Sequence, residues 1–416
     1  MKKGAAKDKS IKNKIIFWVL VGVFIRLLFM PFSAHKDFLA SYSRASMIVQ
    51  GKATPFDFSQ PLGHLLQALD LKVFEFALPP GKLPIYPEFS YPYPETFFQK
   101  EIIHRAFFLF KLPYLLCELG ALLVILKLGL KKEQSVRLVK FWMLNPLLIF
   151  TFYIYGRYDS LSILMLAVTL LAIARKRYSM SALFLGISML VRVYTVLLLP
   201  VFGLLFGKSL KDKAKLLVIS LAPYALWMGL SAVCGGGSSE EWQWLASGPH
   251  QGFLFGWSFT LGQEMEIYPF FAGYFGFLIW LVLKGQSIFK DRVRDFSTLS
   301  LVVILLYLSL SFFLANYPVW LFPFIALPAV FNRDLPKLHC LQILAFLMIL
   351  PYWNNPLFLR LFTAVSERAF FDFPIRGLVS LIYPAQKIVG LGRTLFSVAS
   401  WYMIWLLLKD EKKTLA

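Results

Sequence analysis

The run IIFWVLVGVFIRLLFMPF (Ile15–Phe32) leads straight into SAHKDFLASYSRASMIVQGKATPFDF (Ser33–Phe58), and this junction organises the rest of the chain. The first run is apolar except for Arg26, long enough to span a bilayer, and follows a lysine-rich tail over residues 1–14. Just beyond it lies Asp37, between Lys36 and Phe38. A carboxylate placed where a transmembrane helix meets water sits at headgroup depth. There it can act as a base on a molecule whose tail lies in the membrane.

Composition agrees with that reading of the first run. The chain has 416 residues, 58% hydrophobic and only 16% charged, with a mean hydropathy of +0.64. These values belong to an integral membrane protein. The formal charge of +20 does not point to nucleic acid, because the basic residues cluster between apolar runs, as the positive-inside rule requires. Cys117, Cys234 and Cys340 are scattered and offer neither a disulfide framework nor a metal spacing. The N-terminal run lacks a small-residue cleavage site and is expected to be a retained span, with residues 1–14 as a basic cytoplasmic tail. No Asn-x-Ser/Thr sequon occurs.

The expected fold is all-α, a single polytopic membrane domain over residues 1–416 with about 12 transmembrane helices. Residues 34–105 form a large first extracytoplasmic loop. Within it, Phe38–Val49 and Leu62–Leu78 have apolar residues at helical spacing and read as amphipathic helices on the membrane surface. The proline-rich, aromatic stretch that follows cannot be regular helix. Further spans are expected at Phe107–Leu126, Phe141–Tyr155 (interrupted at Asn145-Pro146), Leu161–Ala174, Leu216–Val233, Pro269–Leu283, Phe296–Ala315, Val319–Phe331, Leu338–Trp353 and Leu395–Leu408. The segment Met180–Phe206 is flanked by basic clusters on both sides. It is therefore expected to enter and return as two short helices, with Arg192 at the far turn. Residues 354–393 form a late extracytoplasmic loop, despite carrying Arg360, Arg368, Arg376, Lys387 and Arg393. The two halves of the chain are unlike and no repeat is visible.

Several short patterns fall in a familiar order. Asp37-Phe38 is followed by Gly51 and Thr54-Pro55-Phe56-Asp57, then by Tyr91-Pro92. Next come Asn145-Pro146 with Gly156-Arg157-Tyr158-Asp159, and Gly186…Arg192-Val193-Tyr194…Leu199-Pro200. The last is Asn316-Tyr317-Pro318-Val319-Trp320-Leu321 with Pro323. Together they resemble the GT-C membrane glycosyltransferases, which use polyprenyl-phosphate-linked sugars and include mannosyltransferases. The chain departs from the family pattern at Arg157, where Gln is usual, at Arg192, where Lys is common, and at Tyr317-Pro318, where Asn-Pro is usual.

The resemblance implies a hexosyltransferase, with mannose favoured, working by inversion on a polyprenyl-phosphate-linked donor and a lipid or glycan acceptor. It implies no cofactor, and no His/Cys/acid spacing suggests a metal. Asp37 is the expected general base; the competing reading is an N-cap for the helix that starts near Phe38. Arg192, and then Arg157, are the expected donor-phosphate ligands. A structural ion pair for Arg192 and snorkelling for Arg157 are the alternatives. Asp159, Tyr194, Asp57, His64 and Tyr91 are the expected substrate contacts, with helix capping open for Asp159 and an ordinary loop role open for Asp57, His64 and Tyr91. The competing class is a multi-pass transporter or flippase for a lipid-linked saccharide. Unlike halves and charges gathered near one interface weigh against it. The expected location is a cell membrane, with a bacterial plasma membrane favoured over endoplasmic reticulum.

Overall fold

The computed structural model describes residues 2–77, 102–235, 257–261, 265–285, 291–353, 360–362, 364–366 and 375–413. Among these the regular structure is helical, apart from one antiparallel hairpin pairing Phe259–Leu261 with Met265–Ile267. In chain order the helices begin with α1 (Lys2–Phe29), α2 (Lys36–Val49), α3 (Pro61–Val73), α4 (Ile103–Leu126) and α5 (Lys132–Met143). They continue with α6 (Asp159–Ala174), α7 (Tyr178–Met189), α8 (Leu199–Phe206), α9 (Leu210–Val233) and α10 (Pro269–Lys284). The last are α11 (Arg292–Leu310), α12 (Phe322–Phe331), α13 (Asp334–Ile349), α14 (Ile375–Ile382) and α15 (Ala385–Lys413).

Among the described residues, five helical stretches are long and apolar enough to cross a membrane: Ile103–Leu126, Leu210–Val233, Arg292–Leu310, Asp334–Tyr352 and Ala385–Lys409. A sixth is bent by 40° where Lys132–Met143 meets Pro146–Tyr155. The bend is written in the sequence. Asn145 caps the second segment by accepting from the Leu147 N–H at 3.0 Å, and Pro146 starts it with its ring already at helical φ. Five shorter apolar helices complete the set. A helix break falls at Arg192, where the two short helices are expected to meet: α7 stops at Met189, and a 3₁₀ turn, Val193–Leu198, leads into α8.

The chain divides into two compact units. The first comprises Met1–Pro55, Pro61–Leu164 and Leu347–Leu391, and the second Phe56–Gln60, Met165–Phe346 and Gly392–Ala416. In the first, α1 packs closely on α5, where a Cβ on Gly22 would stand 2.6 Å from the Met143 side chain. That closeness brings a fully buried ion pair together. Arg26 donates to Glu118 from Nε at 2.8 Å and from Nη2 at 2.5 Å, and to the Met143 carbonyl at 2.7 Å. Glu118 also accepts from the Trp142 indole at 3.1 Å and from the Tyr153 hydroxyl. Every strong polar group in this apolar layer therefore has a partner, which a buried charge requires.

In the second unit, α7 and α9 are pressed together at Gly186, where a Cβ would fall 2.1 Å from the Ser220 carbonyl oxygen. The buried helix α11 is its centre and packs against α12. The last span differs from its expected bounds. Helix α15 begins at Ala385, so Arg393 lies inside a helix and not in the late loop. Its guanidinium donates to the Leu308 and Ser311 carbonyls at 2.6 and 2.5 Å, the orphaned acceptors at the end of α11. These bonds, not a headgroup, are its partners.

Arg26→Met leaves Glu118 charged and buried with a partner removed. The expected loss is about 3–5 kcal/mol of stability. A thermal unfolding midpoint or membrane yield equal to that of the parent protein refutes this account of the α1–α4–α5 cluster.

Candidate functional site

Asp37 is delivered by the exit of α1. Past Phe29 the chain is pinned by Ser33, whose hydroxyl donates to the Phe29 and Tyr153 carbonyls at 3.1 and 3.0 Å. The fully buried Lys111 of α4 donates to the carbonyls of Met30, Ser33 and Tyr153. Ala34 N–H then bonds the Leu361 carbonyl, and His35 N–H the Tyr155 carbonyl, each at 2.9 Å. The capping reading of Asp37 does not hold, because His35 caps α2. Its Nδ1 accepts the Asp37 backbone N–H at 3.2 Å while its ring stacks on Tyr155 at 3.9 Å. A nitrogen accepting an N–H carries no proton of its own. The 3.5 Å approach of that nitrogen to Asp37 Oδ1 is accordingly not an ion pair.

The Asp37 carboxylate is thus released from helix capping and stays 24% exposed. Its Oδ2 lies 3.1 Å from Arg157 Nη1 and accepts from the Tyr155 hydroxyl at 3.4 Å. Arg157 is aimed by an unusual piece of backbone. Residues Ile149–Tyr155 form a π-helix, and the Thr151 carbonyl closes it by accepting from both Gly156 and Arg157 N–H. Gly156 has φ +88°, and a Cβ there would meet Phe38 Cδ2 at 2.7 Å, so this position demands glycine for two separate reasons. Behind Arg157, Asp159 is buried at the start of α6 with Oδ2 3.8 Å from Arg157 Nε. The three residues of the sequence pattern therefore form one acid–base–acid cluster.

His64 belongs to the same unit, with Nε2 3.4 Å from Arg44 Nη1 and its ring edge-on to Tyr158 at 5.5 Å. It sits on α3, whose inward face carries polar as well as apolar residues. His64, Gln67 and Asp70 face inward and are buried, whereas Leu69, Val73 and, just past the helix, Phe76 are exposed. Helix α2 is also buried on most sides. Both amphipathic helices therefore exist, as α2 and α3. Burial pushes the Asp70 carboxyl up to about 7.

The remaining expected residues fall elsewhere. Arg192 and Tyr194 are in the second unit, where Arg192 Nη1 donates to Gln60 Oε1 at 3.3 Å and the Tyr194 ring stacks on Trp320 at 4.1 Å. Trp320 stacks in turn on Tyr317 at 3.9 Å. Asp57 lies in the short 3₁₀ turn Pro55–Asp57. Tyr91 lies outside the described residues. Among the described residues no group of three or more His, Cys, Asp or Glu side chains is placed to hold a metal. Lys111, Glu118 and Tyr155 were not singled out from sequence. The signal for the first two was present, because an ionisable residue inside an apolar span demands a partner. Comparison of the chain with family models, curated proteins and solved structures finds no match.

The Asp70 carboxyl is held above its unfolded value of about 3.9, so the folded protein binds that proton more tightly than the unfolded chain does. Its contribution to stability is greatest below about pH 4 and is lost as the pH rises through about 7. Thermal midpoints across that range should fall more steeply with pH in the parent protein than in Asp70→Asn. Parallel curves would show that Asp70 does not titrate there.

Proposed function

We propose that this protein is a GT-C-type membrane glycosyltransferase. It transfers a hexose, with mannose the first candidate, from a polyprenyl-phosphate donor to a glycolipid or glycan acceptor on the extracytoplasmic face. One observation carries the reading: a partly exposed carboxylate, relieved of capping by His35, is held at the exit of α1 against a fixed guanidinium. The order of the short motifs supports it. The proposed architecture counts α1 and the shorter apolar helices as spans as well, about twelve in all. Basic clusters between spans and the lack of sequons favour a bacterial plasma membrane.

In this mechanism the acceptor hydroxyl gives its proton to Asp37 as its oxygen bonds to the anomeric carbon of the sugar. The bond from that carbon to the phosphate oxygen breaks on the opposite face, and the lipid phosphate leaves with the electron pair. Arg157 offers a planar donor set to the departing charge. Asp159 holds Arg157 from behind, and the Tyr155 hydroxyl fixes Asp37 Oδ2. Arg192 in the second unit is the other cation proposed for a phosphate; its bond to Gln60 is a neutral one that an anion can replace.

Transfer from radiolabelled polyprenyl-phosphate hexoses to extracted membrane acceptors tests the proposal. Asp37→Asn should reach normal membrane levels and lose about two to four orders of magnitude in rate. Asp37→Glu should also be severely impaired, since about 1 Å of displacement suffices to misplace a base. Full activity in Asp37→Asn would remove Asp37 as the base. Topology gives an independent check: reporters fused after Lys211 should read cytoplasmic and those after Lys82 external, and the reverse would break the assignment of faces.

A further inference from the structure

The inward face of α3 is not used by the mechanism above. Gln67 and Asp70 lie one turn apart on it and are buried to 0% and 5% exposure. Gln67 gives its amide N–H to the Tyr114 hydroxyl, which leaves Gln67 Oε1 without a partner, and Asp70 Oδ2 has none either. Both orphaned atoms are acceptors. A buried acceptor without a donor is costly, and two of them lie on one helix face. The surroundings are aromatic and polar. Tyr114 of α4 is within electrostatic reach of Asp70, Arg157 and Tyr158, and His64, one turn before Gln67, meets Tyr158 and the Arg44 guanidinium of α2. The outer face of α3 is mixed, with Leu69 and Val73 exposed beside Lys72, which pairs with Glu75 at 2.7 Å.

We infer that Gln67 and Asp70 form a saccharide subsite, in which Gln67 Oε1 and Asp70 Oδ2 accept hydrogen bonds from neighbouring hydroxyls of the transferred sugar. The inference rests on the glycosyltransferase reading for the choice of ligand. Hydroxyls fit better than an ammonium group. A carboxyl pushed up to about 7 is largely uncharged at mildly acidic pH, and it then offers an acceptor oxygen but little attraction for a cation. Tyrosine and imidazole rings supply the apolar faces on which a sugar ring packs. Asp70 and Arg157 both act electrostatically on Tyr114, which places the stripe in the same unit as the cation proposed for the phosphate.

The test uses the full-length protein in nanodiscs and four probes: farnesyl phosphate and farnesyl-phosphoryl mannose, glucose and galactose. At least one sugar-bearing probe should bind about tenfold or more tightly than farnesyl phosphate. That gain should vanish in Gln67→Met and in Asp70→Leu, with farnesyl phosphate affinity unchanged within about twofold. In the empty protein at pH 8, Asp70→Leu should raise the thermal midpoint, because an unpartnered carboxylate is a cost there. A lower midpoint for Asp70→Leu would make Asp70 structural and overturn the inference. So would a gain that survives in both variants, or no gain for any of the three sugars, which would leave only water at the orphaned atoms. Sugar-dependent binding without transfer by the parent protein would overturn the transferase reading and leave this subsite standing.

Discussion

A single ammonium group holds the first unit in its working shape. Lys111 sits in the middle of an apolar helix at zero exposure and surrenders its hydration completely. An isolated charge there would be prohibitive. It is tolerated because its three donors meet three carbonyls that secondary structure leaves available: Met30 and Ser33 beyond the end of α1, and Tyr153 in the π-helix. Those carbonyls belong to the two chain segments that carry Asp37 and Arg157. One side chain thereby fixes the separation between the carboxylate and the guanidinium, and the negative end of α1 adds to the attraction.

The division of labour around Asp37 follows from that anchor. With the exit of α1 pinned, His35 falls at the N-cap of α2 and spends its Nδ1 on a backbone N–H. Asp37 then lies two residues past the N-cap, and its carboxylate turns to Arg157. The π-helix and Gly156 complete the arrangement from the other side. The extra residue in the π turn and the left-handed glycine let the backbone reverse against the face of Phe38. A normal α-helix ending in a residue with a Cβ would push the chain off Phe38 and carry Arg157 with it.

Helix α3 turns three polar side chains, His64, Gln67 and Asp70, into the unit. There they need partners, and Gln67 finds one in Tyr114 while Asp70 does not. In the same unit the Arg26–Glu118 cluster shows the opposite outcome, with every polar group partnered. The two clusters differ in whether their buried acceptors find donors.

The sequence by itself determined that the protein is a helical membrane protein, where most apolar helices start and stop, and that the helix breaks near Arg192. Hydropathy, basic clusters and Asn-Pro punctuation are local signals, and the bilayer makes them nearly sufficient. It also picked out Asp37, Arg157 and Asp159, because charges at a span end are rare. It read α2 and α3 as amphipathic helices, but periodicity gives the angle between faces and not which face looks inward. Only the tertiary structure decided that His35, not Asp37, caps α2, and that Arg393 serves the end of α11. The same holds for the pairing of Arg26 with Glu118 across 92 residues. Each of these depends on which backbone groups the packed helices leave unpaired, a quantity that no single stretch of sequence contains.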